Sequence, residues 1–96
     1  MPVRSVKITA DTVISTAGGT FQGIIWYGGA ALTPNAYVDI FDDDTTTSPS
    51  PQIARIHTAD APFNGDDVRG FDIVCKTGIT IKASNWAGLE VYVLYN

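Results

Sequence analysis

The chain has 96 residues, 45% hydrophobic, 10% aromatic and 17% charged, with six Lys/Arg against ten Asp/Glu. This length suits one domain, residues 1–96, burying about 60–65% of its surface around a thin core, with too little mass for a deep catalytic cleft. The apolar content argues against disorder, and the net charge of −4, with cations scattered at Arg4, Lys7, Arg55, Arg69, Lys76 and Lys82, lacks the basic stripe that displaces phosphate counterions, so no nucleic-acid partner is expected.

Thr, Val, Ile, Tyr and Gly prevail over Leu, Glu and Lys, which is a strand composition. The first predicted strand is Val3–Thr9; Met1–Ala10 has no continuous apolar run, so no secretory leader is expected there. Asp11–Ser15 follows, and the Gly18-Gly19 turn leads into Thr20–Tyr27. Gly23–Leu32 is the longest largely apolar stretch; it holds two adjacent glycines and falls far short of the ~20 residues of a membrane helix, so no membrane partner is expected. After turns at Gly28-Gly29 and Pro34-Asn35, Ala36–Phe41 alternates with period two, placing Val38 and Ile40 on one face and Asp39 on the other.

Asp42–Gln52, polar and ending in Pro49–Pro51, reads as an exposed loop or a crossover between sheets. The next strand is Ile53–Thr58, followed by the loop Ala59–Asp67 with its Asn64-Gly65 turn. Arg69–Cys75 and Ile79–Ala83 flank the Thr77-Gly78 turn, with Ile79 and Ile81 opposite Thr80 and Lys82. Beyond Asn85–Gly88, the last strand, Leu89–Tyr95, sets Leu89, Val91, Val93 and Tyr95 against Glu90, Tyr92 and Leu94. About eight short strands at regular spacing predict an all-β fold: a two-layer antiparallel β-sandwich, jelly-roll or immunoglobulin-like.

Few residues carry chemistry. Cys75 is the one cysteine, so no intrachain disulfide forms, which fits a reducing cytoplasm. His57 is the one histidine, and a Cys75–His57 pair lacks the third group that orients a base. The runs Asp42–Asp44 and Asp66-Asp67 fall where turn carboxylates accept backbone N–H bonds, and Glu90 is the sole glutamate, so paired-carboxylate hydrolysis is not expected. Calcium is the alternative use of Asp42–Asp44 with Asp60, Asn64, Asp66 and Asp67, although the spacing matches no EF-hand. No enzyme, cofactor or metal site is therefore expected. Inward Val38/Ile40 and Val91/Val93 leave Tyr37, Phe41, Tyr92 and Leu94 facing outward as candidate partner-binding residues, for a protein interface or a sugar platform.

The pieces Gly23-Ile24-Ile25-Trp26-Tyr27, Tyr37-Val38-Asp39-Ile40-Phe41-Asp42, Lys76-Thr77-Gly78-Ile79-Thr80-Ile81 and Glu90-Val91-Tyr92-Val93-Leu94-Tyr95 occur in that order from about Gly18 to Asn96. In this the chain resembles a group of small β-sandwich virion proteins of tailed bacteriophages. The resemblance implies a non-enzymatic structural protein, most simply a capsid decoration or cement protein, located in the virion and assembled in the host cytoplasm. Its implied partners are the major capsid protein or other virion proteins, with the chain present as a homo-oligomer or in many copies on a lattice. A tail or head–tail accessory is the neighbouring reading. The other is a carbohydrate- or receptor-binding β-sandwich module stacking sugars on Trp26, Tyr27 or Trp86.

Overall fold

A computed structural model of the chain describes residues 3–28, 36–57 and 66–96, with backbone alone over 66–69. Eight strands are described: β1 (Arg4–Ile8), β2 (Thr12–Ser15), β3 (Gly19–Gly28), β4 (Tyr37–Phe41), β5 (Gln52–His57), β6 (Asp66–Cys75), β7 (Ile79–Ala83) and β8 (Leu89–Tyr95). Each expected strand is present, and the described residues include no helix. β6 starts earlier than Arg69: Asp66 and Asp67, expected in a loop, pair with Trp26 and Ile25 as strand residues. Backbone pairing to the long β3 overrides the turn preference of aspartate there. The Pro34-Asn35 and Asn64-Gly65 turns lie outside the described residues.

The strands form two antiparallel four-stranded sheets, sheet A in the order β1-β8-β3-β6 and sheet B in the order β2-β7-β4-β5. β1 pairs with β8, β2 with β7, β3 with β6 and β4 with β5, so the pairs are nested like a long hairpin rolled up on itself. That nesting is jelly-roll wiring and decides between the two expected sandwich types.

The core sits between the sheets. Sheet A contributes Ile8, Phe21, Ile24, Trp26, Cys75, Leu89, Val91 and Val93, and sheet B contributes Val38, Ile40, Ile56, Ile79 and Ile81. β3 shows how the alternation adapts. Strict period two would put Phe21 on the same face as Tyr27, yet Phe21, Ile24 and Trp26 are all buried and Tyr27 is exposed. A bulge between Phe21 and Gly23, where β3 shifts register against both neighbours, switches the facing and brings both large rings into the core.

Candidate functional site

The acidic loop is a structural junction. Asp42 N–H donates to Pro51 O at 3.0 Å, closing the loop between β4 and β5. The Asp42 carboxylate accepts the backbone N–H groups of Lys76 at 3.0 Å, Thr77 at 2.8 Å and Gly78 at 3.3 Å, tying β4 to the β6–β7 turn. Those N–H bonds, Lys76 first and Thr77 next, hold its carboxyl below the usual range. Asp43 accepts N–H bonds from Ser50 at 3.0 Å and Asp44 at 2.8 Å, which lower it likewise. Its main-chain oxygen accepts the Thr80 hydroxyl at 2.7 Å, which buries Thr80 on the outer side of β7. Of the carboxylates considered for calcium, those of Asp42 and Asp43 are thus engaged with backbone donors. Among the described residues, no group of three or more His, Cys, Asp or Glu is placed to hold a metal ion. Asp60 and Asn64, and the side chains of Asp66 and Asp67, lie outside the described residues.

Cys75 and His57 are not brought together. Cys75 is 2% exposed on the core side of sheet A, where burial pushes its thiol up. His57 is exposed on β5 of sheet B, its ring edge-on to Tyr37 at 6.2 Å between centroids.

The four outward candidates divide between opposite sides of the sandwich. Tyr37 and Phe41 lie on β4 in sheet B, and Tyr92 and Leu94 on β8 in sheet A. Alternation tells which way a side chain faces from its own strand; it does not tell which sheet the strand joins. The outer side of sheet B is knit to itself. Arg55 donates to Asp39 through Nε at 2.7 Å and Nη2 at 3.0 Å, and Gln52 Nε2 adds a bond to Asp39 at 3.2 Å. The same guanidinium lies 3.9 Å from the Tyr37 ring centroid. The Tyr37 face is therefore already partnered within the chain.

Sheet A differs. Tyr92 and Leu94 stand on its central strand, next to Ile25 and Tyr27 across the β3–β8 pairing. The exposed large hydrophobics among the described residues are Val3, Tyr27 and Val74, and all three belong to this sheet or lead into it. A shallow hollow of about 340 Å³ runs over Val3, Gln22, Ile25, Gly70, Asp72 and Leu94. Sequence reading named Tyr92 and Leu94 here and missed Val3, Ile25 and Val74. Val74 was within reach, because it alternates with Ile73 and Cys75.

Of the three rings considered as sugar platforms, Trp26 is 3% exposed in the core and is withdrawn from that role. Tyr27 and Trp86 instead line a second, open cleft of about 490 Å³ with Thr9, Gly28, Leu89 and Glu90. Trp86 is oriented by its Nε1–H, which donates to Asp11 Oδ1 at 2.7 Å. Tyr27 packs edge-on against Tyr92 at 6.1 Å. Glu90 pairs with Lys7 at 3.3 Å.

A scan against protein-family models, a search of curated proteins and a search of solved structures each find no match to this chain.

Proposed function

We propose that the chain is a non-enzymatic structural protein of a phage virion, a capsid decoration protein that docks on the capsid lattice through the outer side of sheet A. The observation that carries this reading is the contrast between the two outer faces. Sheet B ties Asp39, Arg55, Gln52 and Tyr37 into internal pairs, whereas sheet A leaves Tyr27 exposed beside Tyr92, Val3 exposed beside Leu94, and Val74 exposed on β6. Exposed apolar side chains grouped on one face favour a partner that covers them. A lattice presents many identical partners, so modest contacts made by each copy add up. The resemblance of the strand pieces to small virion proteins supports a capsid as that lattice.

The test is co-sedimentation of purified protein with capsids assembled without it. Tyr92→Ala with Leu94→Ala removes the centre of the face. A central aromatic anchor is worth about 2 kcal/mol or more, roughly a thirtyfold loss of affinity per site. The double variant is expected to stay folded and fail to load, while Tyr37→Ala, on the opposite face, loads normally. Normal loading of the double variant would refute this docking face.

A further inference from the structure

The cleft beside the docking face has its own chemistry. It opens where β3 ends at Gly28 and β8 begins at Leu89, and Gly28 and Gly88 are part of its lining. Its volume, about 490 Å³, lies in the range of small-molecule sites, roughly 300–1,000 Å³. Two aromatic side chains line it. Trp86 is fixed in orientation, because Asp11 Oδ1 receives both its indole N–H at 2.7 Å and the Ala83 N–H at 3.3 Å. Tyr27 is 48% exposed and braced edge-on by Tyr92. Thr9, Tyr27 and Glu90 are the lining residues whose side chains carry a hydroxyl or carboxylate.

Charge narrows the ligand class. Lys7 already compensates Glu90, so the two together offer a cationic or anionic ligand no unmatched charge. The pair still presents a carboxylate acceptor and an ammonium donor, both about half exposed. Ring faces beside neutralised hydrogen-bonding groups suit a molecule with an apolar C–H face and several hydroxyls. We infer that this cleft binds a neutral saccharide unit, stacked on Tyr27 or Trp86, with its hydroxyls bonded to Glu90 and Thr9. The site goes beyond capsid docking and does not depend on it. Tyr27 belongs both to this cleft and to the docking face, so capsid and sugar would compete for that ring, and the sugar site is read on the free protein.

Tryptophan fluorescence reads the site directly, since Trp86 lines the cleft and Trp26 is buried in the core. The whole chain is titrated with maltotriose, cellotriose, mannotriose and N-acetylchitotriose, and separately with tetramethylammonium. At least one neutral trisaccharide is expected to give a saturable change. Tyr27→Ala and Glu90→Gln are each expected to weaken it about tenfold or more, while Leu94→Ala, outside the cleft, leaves it unchanged. Calorimetry with the same sugar and Trp86→Phe checks the second ring without the fluorescent reporter. Should Tyr27→Ala fail to fold by circular dichroism, Glu90→Gln, at an exposed position, decides. The inference is overturned if no sugar saturates by concentrations on the order of 10 mM, if Glu90→Gln binds like the parent, or if tetramethylammonium alone saturates, which would make the cleft a cation cage. Loss of capsid loading with sugar binding intact, or the reverse, tells the two proposals apart.

Discussion

Gly78→Ala tests whether the acidic loop, the end of β2 and the β6–β7 turn form one interlocked junction. Gly78 is buried, and a Cβ on it would sit 2.5 Å from Asp43 O and 2.6 Å from Ser15 O. Both neighbours are main-chain carbonyls, which cannot rotate aside as a side chain would. Displacing Asp43 would strain the 2.7 Å bond it accepts from Thr80 and the bonds that Asp42 makes to the turn. Overpacking of this kind costs about 1–3 kcal/mol, and unyielding neighbours put it at the top of that range. At about 4–8 °C per kcal/mol for a domain this size, the melting temperature falls by roughly 12–24 °C. Gly70→Ala is the control. Gly70 has φ of +89°, and its added Cβ would meet nothing within 4 Å. It feels only the backbone penalty of a left-handed residue, about 1 kcal/mol or roughly 4–8 °C. Thermal melts followed by far-UV circular dichroism compare the two. If Gly78→Ala loses no more than Gly70→Ala, the junction yields and the reasoning fails.

The Asp42 carboxyl is lowered from 3.8 in the folded chain, so its stabilisation is present above about pH 4 and is lost as pH falls through the folded value. Asp42→Asn is expected to cost about 1 kcal/mol at pH 7, the roughly 1.5–3 kcal/mol of a bonded carboxylate reduced by solvent screening at the surface. In chemical denaturation from pH 7 down to pH 2.5, the gap to the parent should narrow below pH 4, and a gap constant across that range would contradict the assignment. Cys75, buried and with its thiol pushed up, is expected to resist a thiol reagent such as dithionitrobenzoate in the folded chain and react fully in guanidinium. Rapid labelling of folded protein would place the thiol at the surface.

What the sequence carried was the local grammar of strands. In β8, Leu89, Val91 and Val93 alternate without interruption and are the residues found buried, because a sheet with one covered face enforces period two. In β3 the same rule misleads at Phe21, since a bulge is a property of pairing with β8 and β6 and leaves no local mark beyond a glycine. Turn aspartates were legible as acceptors of N–H bonds; their donors at Lys76, Thr77 and Gly78 lie a sheet's width of chain away and were not. The candidate face was half legible for the same reason. Tyr92 and Tyr37 both read as outward, and only the assignment of β8 to one sheet and β4 to the other sets them on opposite sides. Glu90 and Trp86 belong to one cleft through a turn in which Leu89 N–H bonds to Trp86 O, a closeness available to sequence reading but with no periodic pattern to flag it.

The nested wiring also governs how the molecule comes into being. β4 and β5 are neighbours along the chain and can close first at small entropic cost, whereas β1 must wait for β8. β8 lies between β1 and β3, so during synthesis the first sheet has a gap in its middle until β8 leaves the ribosome. Through that interval the apolar sides of β1 and β3, with Ile8, Ile24 and Trp26, have no central neighbour, the condition in which nascent β-proteins aggregate. A ribosome stalled short of Leu89 therefore leaves no smaller sandwich missing an edge. It leaves a sheet split at its centre, and folding of this sandwich is in effect a decision taken once, when β8 arrives.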